Sequence, residues 1–299
     1  MRGTYSAHLE MSKGPPGDEK AYELMKQAEK KLKKFSLFSS NKHEEAAEIY
    51  QKAASFFKLA KKYNEAGDAF VKSADCFSKQ GNKYDAATNY NDAAGCYKKI
   101  SPMDAIRCLN TASELYMDLG RFAQAAKVKK EIGETYEAEM NFENALEAFE
   151  EAANYFQGED SLSSANQCLL KVGQLAAQLD NFDKAIEVYE KVAEASVESQ
   201  LLKWSVKDYY LRAGICYLCK GASMDLPAHM ERYSQMDVTF NSTREYRFLQ
   251  DIVAAVDNTD VETFTNVVAD FDQISKLDAW KTSMLLKIKQ KMRDEDDLL

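Results

Sequence analysis

Proline is scarce in this sequence: there are four prolines in 299 residues, and none lies between Pro102 and Pro227. Proline costs about 3 kcal/mol inside an α-helix, so a long stretch without it favours helices. Strand-rich proteins usually need more turn residues than this chain contains. Hydrophobic residues make up 45% of the chain, which is enough for a sizeable core. We therefore predict an all-α protein.

Residues and motifs typical of catalytic sites are also scarce. The three histidines, His8, His43 and His229, lie far apart, and neither G-x-x-x-x-G-K-[ST] nor G-x-G-x-x-G occurs. Cys216-x-x-Cys219 is the only close cysteine pair, whereas a zinc site needs a second pair at a suitable spacing. The pair lies in a helical apolar run, unlike a redox pair between strand and helix. We expect no catalytic residue, metal site or cofactor, and therefore no enzyme.

Long apolar runs and a net positive charge are absent as well. No apolar run reaches the roughly eighteen residues of a membrane-spanning helix, and the N-terminus lacks the apolar segment of a signal peptide. The formal net charge of -9 argues against nucleic acid as a partner of the whole molecule, while leaving room for a local basic face. The six cysteines are spread through helical patterns and are expected to be reduced and mostly buried. These features predict a soluble, cytoplasmic protein.

What the chain does contain is an alanine about every twenty residues from residue 44 onward, at positions 46, 66, 87, 105, 125, 145, 165 and 185. An aromatic residue often stands three positions earlier, as in Tyr63-x-x-Ala66. A second pattern, represented by Tyr50, Ala53 and Phe57, places an aromatic, an alanine and an aromatic on one helix face. A helix of about 16 residues, ~24 Å long, plus a short turn fits this step.

Helices repeated at this step are expected to pack as antiparallel pairs, with alanines allowing close approach and aromatics filling the space between pairs. The pattern resembles tetratricopeptide repeats, although a pair of about forty residues exceeds their ~34. We predict a tetratricopeptide-like α-solenoid forming a twisted sheet, capped by a C-terminal helical bundle. The predicted segments are a disordered extension (1–19), the solenoid (20–200), the bundle (201–292) and an acidic Leu-Leu tail (293–299).

Residues typical of helix caps and turns support these helices. Ser101 and Pro102 predict a helix start, with serine as the cap and proline at the first helical position. Gly81, Gly120 and Gly158 fall where turns between helices are expected.

Segment 30–40 combines four lysines with three large apolar residues, Phe35, Leu37 and Phe38, in a serine-rich stretch. In one interpretation, the apolar side chains pack against the first helix pair. In the other, they insert shallowly into a membrane while the lysines meet anionic head groups, each worth ~1 kcal/mol. The second interpretation predicts weak, reversible membrane attachment.

Basic residues recur on alternating repeats, at Arg121, Lys127, Lys171, Lys203 and Lys207. Because like positions on every second helix of an antiparallel array share a face, they form either a positive stripe or part of an ordinary solvated face. The acidic C-terminus ends in Leu298-Leu299, which fits either a flexible tail or a docking motif.

Five segments resemble the soluble NSF attachment proteins: DLGRFAQAAK (118–127), SSANQCLLKV (163–172), LLKWSVKD (201–208), KLDAWKT (276–282) and the final DDLL. The resemblance covers roughly residues 19–299. It implies an adaptor that binds the assembled four-helix SNARE complex and recruits and stimulates NSF, a hexameric ATPase. NSF then disassembles the complex after membrane fusion in vesicle-mediated transport. Several adaptors are expected around one SNARE bundle. The DDLL end and the apolar loop favour the alpha class over the gamma class.

The resemblance also implies roles for single residues. The SNARE-facing surface would comprise Arg121, Lys127, Lys171, Leu201, Lys203, Trp204 and Lys207. The membrane loop would comprise Phe35, Leu37 and Phe38, and the NSF contact Asp257, Asp260, Asp296, Asp297 and Leu298. Three positions depart from the family pattern: Gln167 replaces a frequent lysine, and Gly221 and Ala254 replace acidic residues of some members.

A different function remains compatible with the repeats alone. Tetratricopeptide-like proteins often act as co-chaperones or scaffolds that bind peptide tails of other proteins. The twenty-residue step, the apolar loop and the acidic Leu-Leu tail favour the SNARE adaptor.

Overall fold

The structure is a computed structural model that describes residues 17–33 and 41–296. In this part of the chain all regular elements are helices, which confirms the all-α, helical-repeat prediction. They are α1 (Gly17–Lys33), α2 (Lys42–Leu59), α3 (Tyr63–Gln80), α4 (Lys83–Tyr97), α5 (Pro102–Asp118), α6 (Phe122–Ala138), α7 (Phe142–Gly158), α8 (Leu162–Gln178), α9 (Phe182–Val197), α10 (Val206–Lys220), α11 (Leu226–Met236), α12 (Arg244–Asp257), α13 (Val261–Ile274) and α14 (Ala279–Asp296), with 3-10 turns at Lys203–Ser205 and Phe240–Ser242. None of the described helices is both long and apolar enough to cross a membrane.

Both ends of the described chain are more helical than expected. α1 begins at Gly17, before the predicted start at residue 20, because Asp18 is buried and pairs with Lys62 at 2.5 Å. An acidic residue in the first turn also suits the positive end of the helix dipole. α14 continues to Asp296, into the segment predicted as a tail.

The twenty-residue step corresponds to one helix and the turn that follows it. Helices α2 to α9 begin at residues 42, 63, 83, 102, 122, 142, 162 and 182. The repeated alanines are all at most 1% exposed: Ala46, Ala66, Ala87, Ala105, Ala125, Ala145, Ala165 and Ala185. A methyl group at these positions leaves room for the neighbouring backbone, which is why the sequence repeats alanine there.

Six of the seven turns between α2 and α9 share one backbone geometry, the exception being the turn between α4 and α5. In each of the six, a residue one or two positions after the helix takes a left-handed conformation, with positive φ at Lys61, Gly81, Gly120, Met140, Asp160 and Asp180. The next residue donates its N–H back across the turn, as from Asn82 to the Phe77 carbonyl and from Asn181 to the Ala176 carbonyl. This pattern closes the helix C-terminus and starts the next helix at once.

Two predicted helix-boundary residues need correction. Gly158 is the last residue of α7, and Asp160 takes the left-handed conformation there instead. Ser101 does occupy the N-cap position of α5, with Pro102 behind it, but its hydroxyl donates to the Asp104 carboxylate instead of capping a backbone N–H. The chain uses asparagine for that purpose: the side chains of three asparagines accept from backbone N–H groups, at Asn82, Asn141 and Asn181.

Residue contacts divide the chain into an N-terminal unit up to Thr135 and a C-terminal unit from Tyr136. In the N-terminal unit, consecutive helices pack against each other from α1 to α5. Alternate helices also lie side by side, since Lys72 of α3 pairs with Glu29 of α1 at 3.0 Å and Lys98, directly after α4, pairs with Glu131 of α6 at 3.1 Å. The unit is therefore a two-layered array of helices. The finer segmentation at residues 19, 200 and 292 stays a prediction.

The C-terminal unit continues the same packing from α7 to α10 and then adds a bundle. Here α12 and α14 pack on α10, and α13 packs on α12 and α14. Trp280 of α14 anchors the bundle: its indole N–H donates to the Gln174 carbonyl at 3.2 Å, and its ring meets Tyr189 edge-on at 5.7 Å. The guanidinium carbon of Arg212 lies over the Trp280 ring, 5.0 Å from its centroid. α14 thus ties the last repeats to the bundle within this unit.

Candidate partner-binding surface

The connection between α9 and α10 presents two large apolar side chains to solvent. Leu201 is 89% exposed and Trp204 is 74% exposed. The segment is held at both ends, because the Lys203 N–H donates to the Ser199 carbonyl at 2.9 Å and Val206 is fully buried. Exposed leucine and tryptophan side chains on an anchored segment are typical of an interaction site.

Lysines accompany this apolar pair. The Lys203 ammonium lies 5.2 Å from the centroid of the Trp204 ring, within the range of a cation–π contact. Lys207 stands in the first turn of α10 and is also exposed. The structure therefore brings Leu201, Lys203, Trp204 and Lys207 together on one short segment of the C-terminal unit.

Lys207 is paired with a buried carboxylate. Its ammonium lies 3.0 Å from Glu245 Oε1, and Glu245 is only 8% exposed. The other carboxylate oxygen of Glu245 has no hydrogen-bond partner among the described residues. Glu245 lies in the first turn of α12, where the helix dipole favours a negative charge. Lys207 is therefore the charged partner of the buried Glu245 carboxylate.

Lys171, in α8, is paired as well. Its ammonium donates to both carboxylate oxygens of Glu137, at 2.7 and 2.9 Å. Glu137 lies in the last turn of α6, within the C-terminal unit. Gln167 is exposed one helical turn before Lys171 and therefore shares its face.

Arg121 and Lys127 belong to the N-terminal unit, and both are exposed. Arg121 directly precedes α6, with its guanidinium carbon 5.8 Å from the centroid of the Tyr84 ring. Lys127 lies two turns into α6. The alignment of these two residues with the lysines of the C-terminal unit stays a prediction.

The acidic residues assigned to NSF lie between α12 and α13. Asp257 is the last residue of α12 and is exposed. Asp260 caps α13, accepting from the Thr263 N–H at 2.9 Å and the Thr263 hydroxyl at 2.6 Å, and these hydrogen bonds lower its pKa. Asp251 and Asp260 line a groove of about 310 Å³ with Ala254 and Asn258. Ala254 therefore leaves the groove with two carboxylates instead of three.

Several assigned residues are not part of this geometry. Phe35, Leu37, Phe38, Asp297 and Leu298 lie outside the described residues. Asp296 is the last helical residue of α14.

The cysteine pair is deeply buried. Burial raises the pKa of the Cys216 thiol well above its ordinary value and that of Cys219 to about 12. The Cys219 thiol donates to the Met284 carbonyl at 3.5 Å. Among the described residues, no group of three or more His, Cys, Asp or Glu could hold a metal ion. Both cysteines are therefore core residues, and Cys219 lies in the contact between α10 and α14.

Two carboxylates that pair with lysines of this surface, Glu137 and Glu245, were not predicted from the sequence. Both are acidic, so neither fits a search for a positive stripe. The available signal was spacing: Glu137 and Lys171 are 34 residues apart, which is close to two helix steps. The same separation joins Glu150 of α7 to Lys184 of α9 at 2.8 Å.

Comparison with known proteins identifies the family. The family model described as "Soluble NSF attachment protein, SNAP" matches residues 19–293. An alpha-soluble NSF attachment protein of Dictyostelium discoideum is 50% identical, covering 94% of this chain and 98% of that protein. One of Vitis vinifera is 47% identical with the same coverage, and the vesicular-fusion protein SEC17 of Coprinopsis cinerea is 44% identical, covering 93% and 98%. This chain belongs to the soluble NSF attachment protein family.

Proposed function

We propose that this protein is a non-catalytic adaptor that binds assembled SNARE complexes and recruits and stimulates NSF to disassemble them after vesicle fusion. The observation that carries the proposal is the anchored segment with Leu201 and Trp204 exposed beside Lys203 and Lys207. Family relatives are named for attachment to NSF, and one is named a vesicular-fusion protein. These names support the partner and the process proposed here.

The chemistry of the surface suits an assembled SNARE bundle. Such a bundle is an acidic rod of helices. This protein also carries a net negative charge, of -9, so its average charge does not attract the bundle. A local basic face on an acidic protein supplies complementarity and steers encounter with an acidic partner. An exposed tryptophan beside a leucine provides the apolar anchor that charge alone lacks. Arg121, Lys127 and Lys171 would extend this contact along the bundle.

The remaining contacts belong to the same proposal. Asp257, Asp260 and the tail residues Asp296, Asp297 and Leu298 would meet NSF. Phe35, Leu37 and Phe38 would give weak peripheral contact with a membrane, and the protein would act in the cytoplasm and at membrane surfaces. Several copies would surround one SNARE bundle, as the resemblance to the family implies.

Charge reversal tests the basic contact. The double variant Lys127→Glu/Lys171→Glu is expected to abolish pull-down on an assembled SNARE complex, because it replaces attraction by repulsion. Lys184→Glu/Lys191→Glu is the matched control, with the same change in net charge on α9. Helical content by circular dichroism should be unchanged in both. Binding that persists in the first variant, or is lost equally in both, would contradict the assignment.

A disassembly assay tests the adaptor function. NSF, ATP and a preformed SNARE complex are mixed with the protein, and release of SNARE subunits is followed over time. We expect Leu201→Ser/Trp204→Ser to lower both binding and disassembly. Removal of Leu298 and Leu299 should lower disassembly while leaving SNARE binding intact. Absence of any stimulation by the unaltered protein would refute the function.

A further inference from the structure

Lys171 is not a free cation. Both oxygens of Glu137 accept from its ammonium, so the lysine and the carboxylate form a two-point pair between α6 and α8. An acidic partner that binds Lys171 must displace Glu137 or share the ammonium with it. The Glu137 carboxylate also lies as a negative charge beside the proposed SNARE contact.

The two paired lysines differ in how easily they can change partner. The Glu245 side chain is 11% exposed, so it would lose its charged partner inside the protein if Lys207 moved away. The Glu137 side chain is 26% exposed and the Lys171 side chain 39%, so water can reach both groups. Pairs of this exposure contribute little to stability. The Lys171–Glu137 pair is therefore the exchangeable one.

The position of Glu137 also makes it dispensable for the fold. It lies in the last turn of α6, where the negative end of the helix dipole disfavours a carboxylate. Its observed polar contact is the one with Lys171. Neither helix capping nor core packing explains an acidic residue at this place.

We propose that Glu137 is a specificity-determining residue that occupies Lys171 until an acidic SNARE bundle replaces it. The inference rests on the proposed SNARE binding and adds an internal competitor to it. Partners that present a carboxylate within reach of Lys171 can take over both hydrogen bonds. Partners with scattered negative charge cannot take over both hydrogen bonds, and Glu137 also repels them. The pair thus lowers affinity for every acidic surface, and it does so more for a scattered charge than for a partner that takes over both hydrogen bonds.

The direct test is the affinity of Glu137→Gln for an immobilised assembled SNARE complex. Glutamine keeps the size of the side chain and removes its charge, so Lys171 becomes free to bind. We expect about two- to fivefold tighter binding, the range of an exposed ion pair. Glu150→Gln, which frees Lys184 from a pair of the same spacing and similar length, should leave affinity within experimental error. Unchanged or weaker binding by Glu137→Gln would overturn the inference.

A second background separates release of Lys171 from a general change in charge. In Lys171→Ala, Glu137→Gln should give a clearly smaller gain, because there is no ammonium to release and only the repulsion by Glu137 is relieved. A gain of equal or larger size without Lys171 would show that relief of repulsion explains the whole effect and would refute the competitor role. If Lys171→Ala weakens binding but Glu137→Gln does not strengthen it, only this inference fails. If the unaltered protein does not bind the complex, the proposed function fails with it.

Discussion

At the scale of single residues, close packing depends on three glycines that face large side chains. A Cβ atom added at Gly67 would lie 2.5 Å from the ring of Tyr97, one at Gly173 3.0 Å from Tyr189, and one at Gly214 2.6 Å from Leu249. All three glycines are inside helices, where glycine is otherwise unfavourable. Close approach of the neighbouring helix therefore explains them, and it extends the role of the repeated alanines.

Gly67→Ala should destabilise the protein. The Tyr97 ring cannot withdraw easily, because it is buried and its hydroxyl donates to Asp68 at 2.6 Å. Overpacking of this kind costs about 1–3 kcal/mol in the free energy of unfolding. Gly95→Ala is the control, since a Cβ there meets nothing within 4 Å. It should stabilise by about 0.5–1 kcal/mol through helix propensity. Urea unfolding followed by circular dichroism measures both, and equal effects would contradict the packing argument.

Lys207→Ala should also destabilise, in contrast to the other basic residues of the surface. It leaves Glu245 buried without its charged partner, at a cost of about 1–2 kcal/mol. Adding Glu245→Gln should recover part of this loss, because it removes the uncompensated charge. Lys127→Ala, at an exposed position of α6, should change the free energy of unfolding by less than about 0.5 kcal/mol. Thermal melts of the four proteins compare these values, and a neutral Lys207→Ala would refute the structural role.

At the scale of elements, the turns between helices contain residues in the left-handed backbone conformation, which only some of these residues adopt easily. Glycine takes the left-handed position at Gly81 and Gly120 without a Cβ penalty. The left-handed conformation carries a Cβ penalty at the four other positions, which are Lys61, Met140, Asp160 and Asp180. Satisfied backbone hydrogen bonds on either side, and the asparagine caps that follow at positions 141 and 181, hold these residues in place.

Met140→Gly should therefore stabilise the turn between α6 and α7. The Met140 side chain is 75% exposed, so its removal loses little packing. Relief of a left-handed conformation that costs about 1–2 kcal/mol outweighs the extra freedom of glycine in the unfolded chain. The net gain should be about 0.5 kcal/mol. Gly81→Ala, the converse change, should cost about 1 kcal/mol. Urea midpoints of the two variants should move in opposite directions.

At the scale of the whole molecule, buried thiols and phenols occur in both units. Burial raises the pKa of Cys108 to about 11, and that of Cys219, Tyr50 and Tyr210 to about 12. In the unfolded chain these groups ionise near their ordinary values of 9.0 and 10.0. The raised pKa values stabilise the fold fully below pH 9, and this contribution is lost as the pH rises towards 12.

We accordingly expect thermal stability to be insensitive to these groups between pH 7 and about pH 8 and to fall above about pH 9. Tyrosinate absorbance should appear at higher pH in the native protein than in urea. Melting temperatures that stay constant up to pH 11, or identical titration curves in the two states, would contradict this assignment. Because cysteines 76, 96 and 108 lie in the N-terminal unit and 168, 216 and 219 in the C-terminal unit, alkylation mapped by mass spectrometry reports opening of each unit separately.

The sequence by itself determined the helices, their step and the residues at their contacts. Alanine every twenty residues and aromatic residues three positions earlier act over distances of one turn, so local spacing is enough to read them. The exposed Leu201 and Trp204 were also assigned from their segment, through its resemblance to the family. Helix ends were less certain, because left-handed residues such as Met140 and Asp160 carry no glycine signal.

Only the tertiary structure decided which charges are available. Arg121, Lys127, Lys171, Lys203 and Lys207 are equivalent as basic residues of a pattern. The fold gives Lys171 an exchangeable partner in Glu137 and gives Lys207 a buried one in Glu245. Such pairs depend on the rotation and offset of helices that are two steps apart along the chain. A shift of a few ångströms in that packing would break them, and no local pattern of residues specifies it.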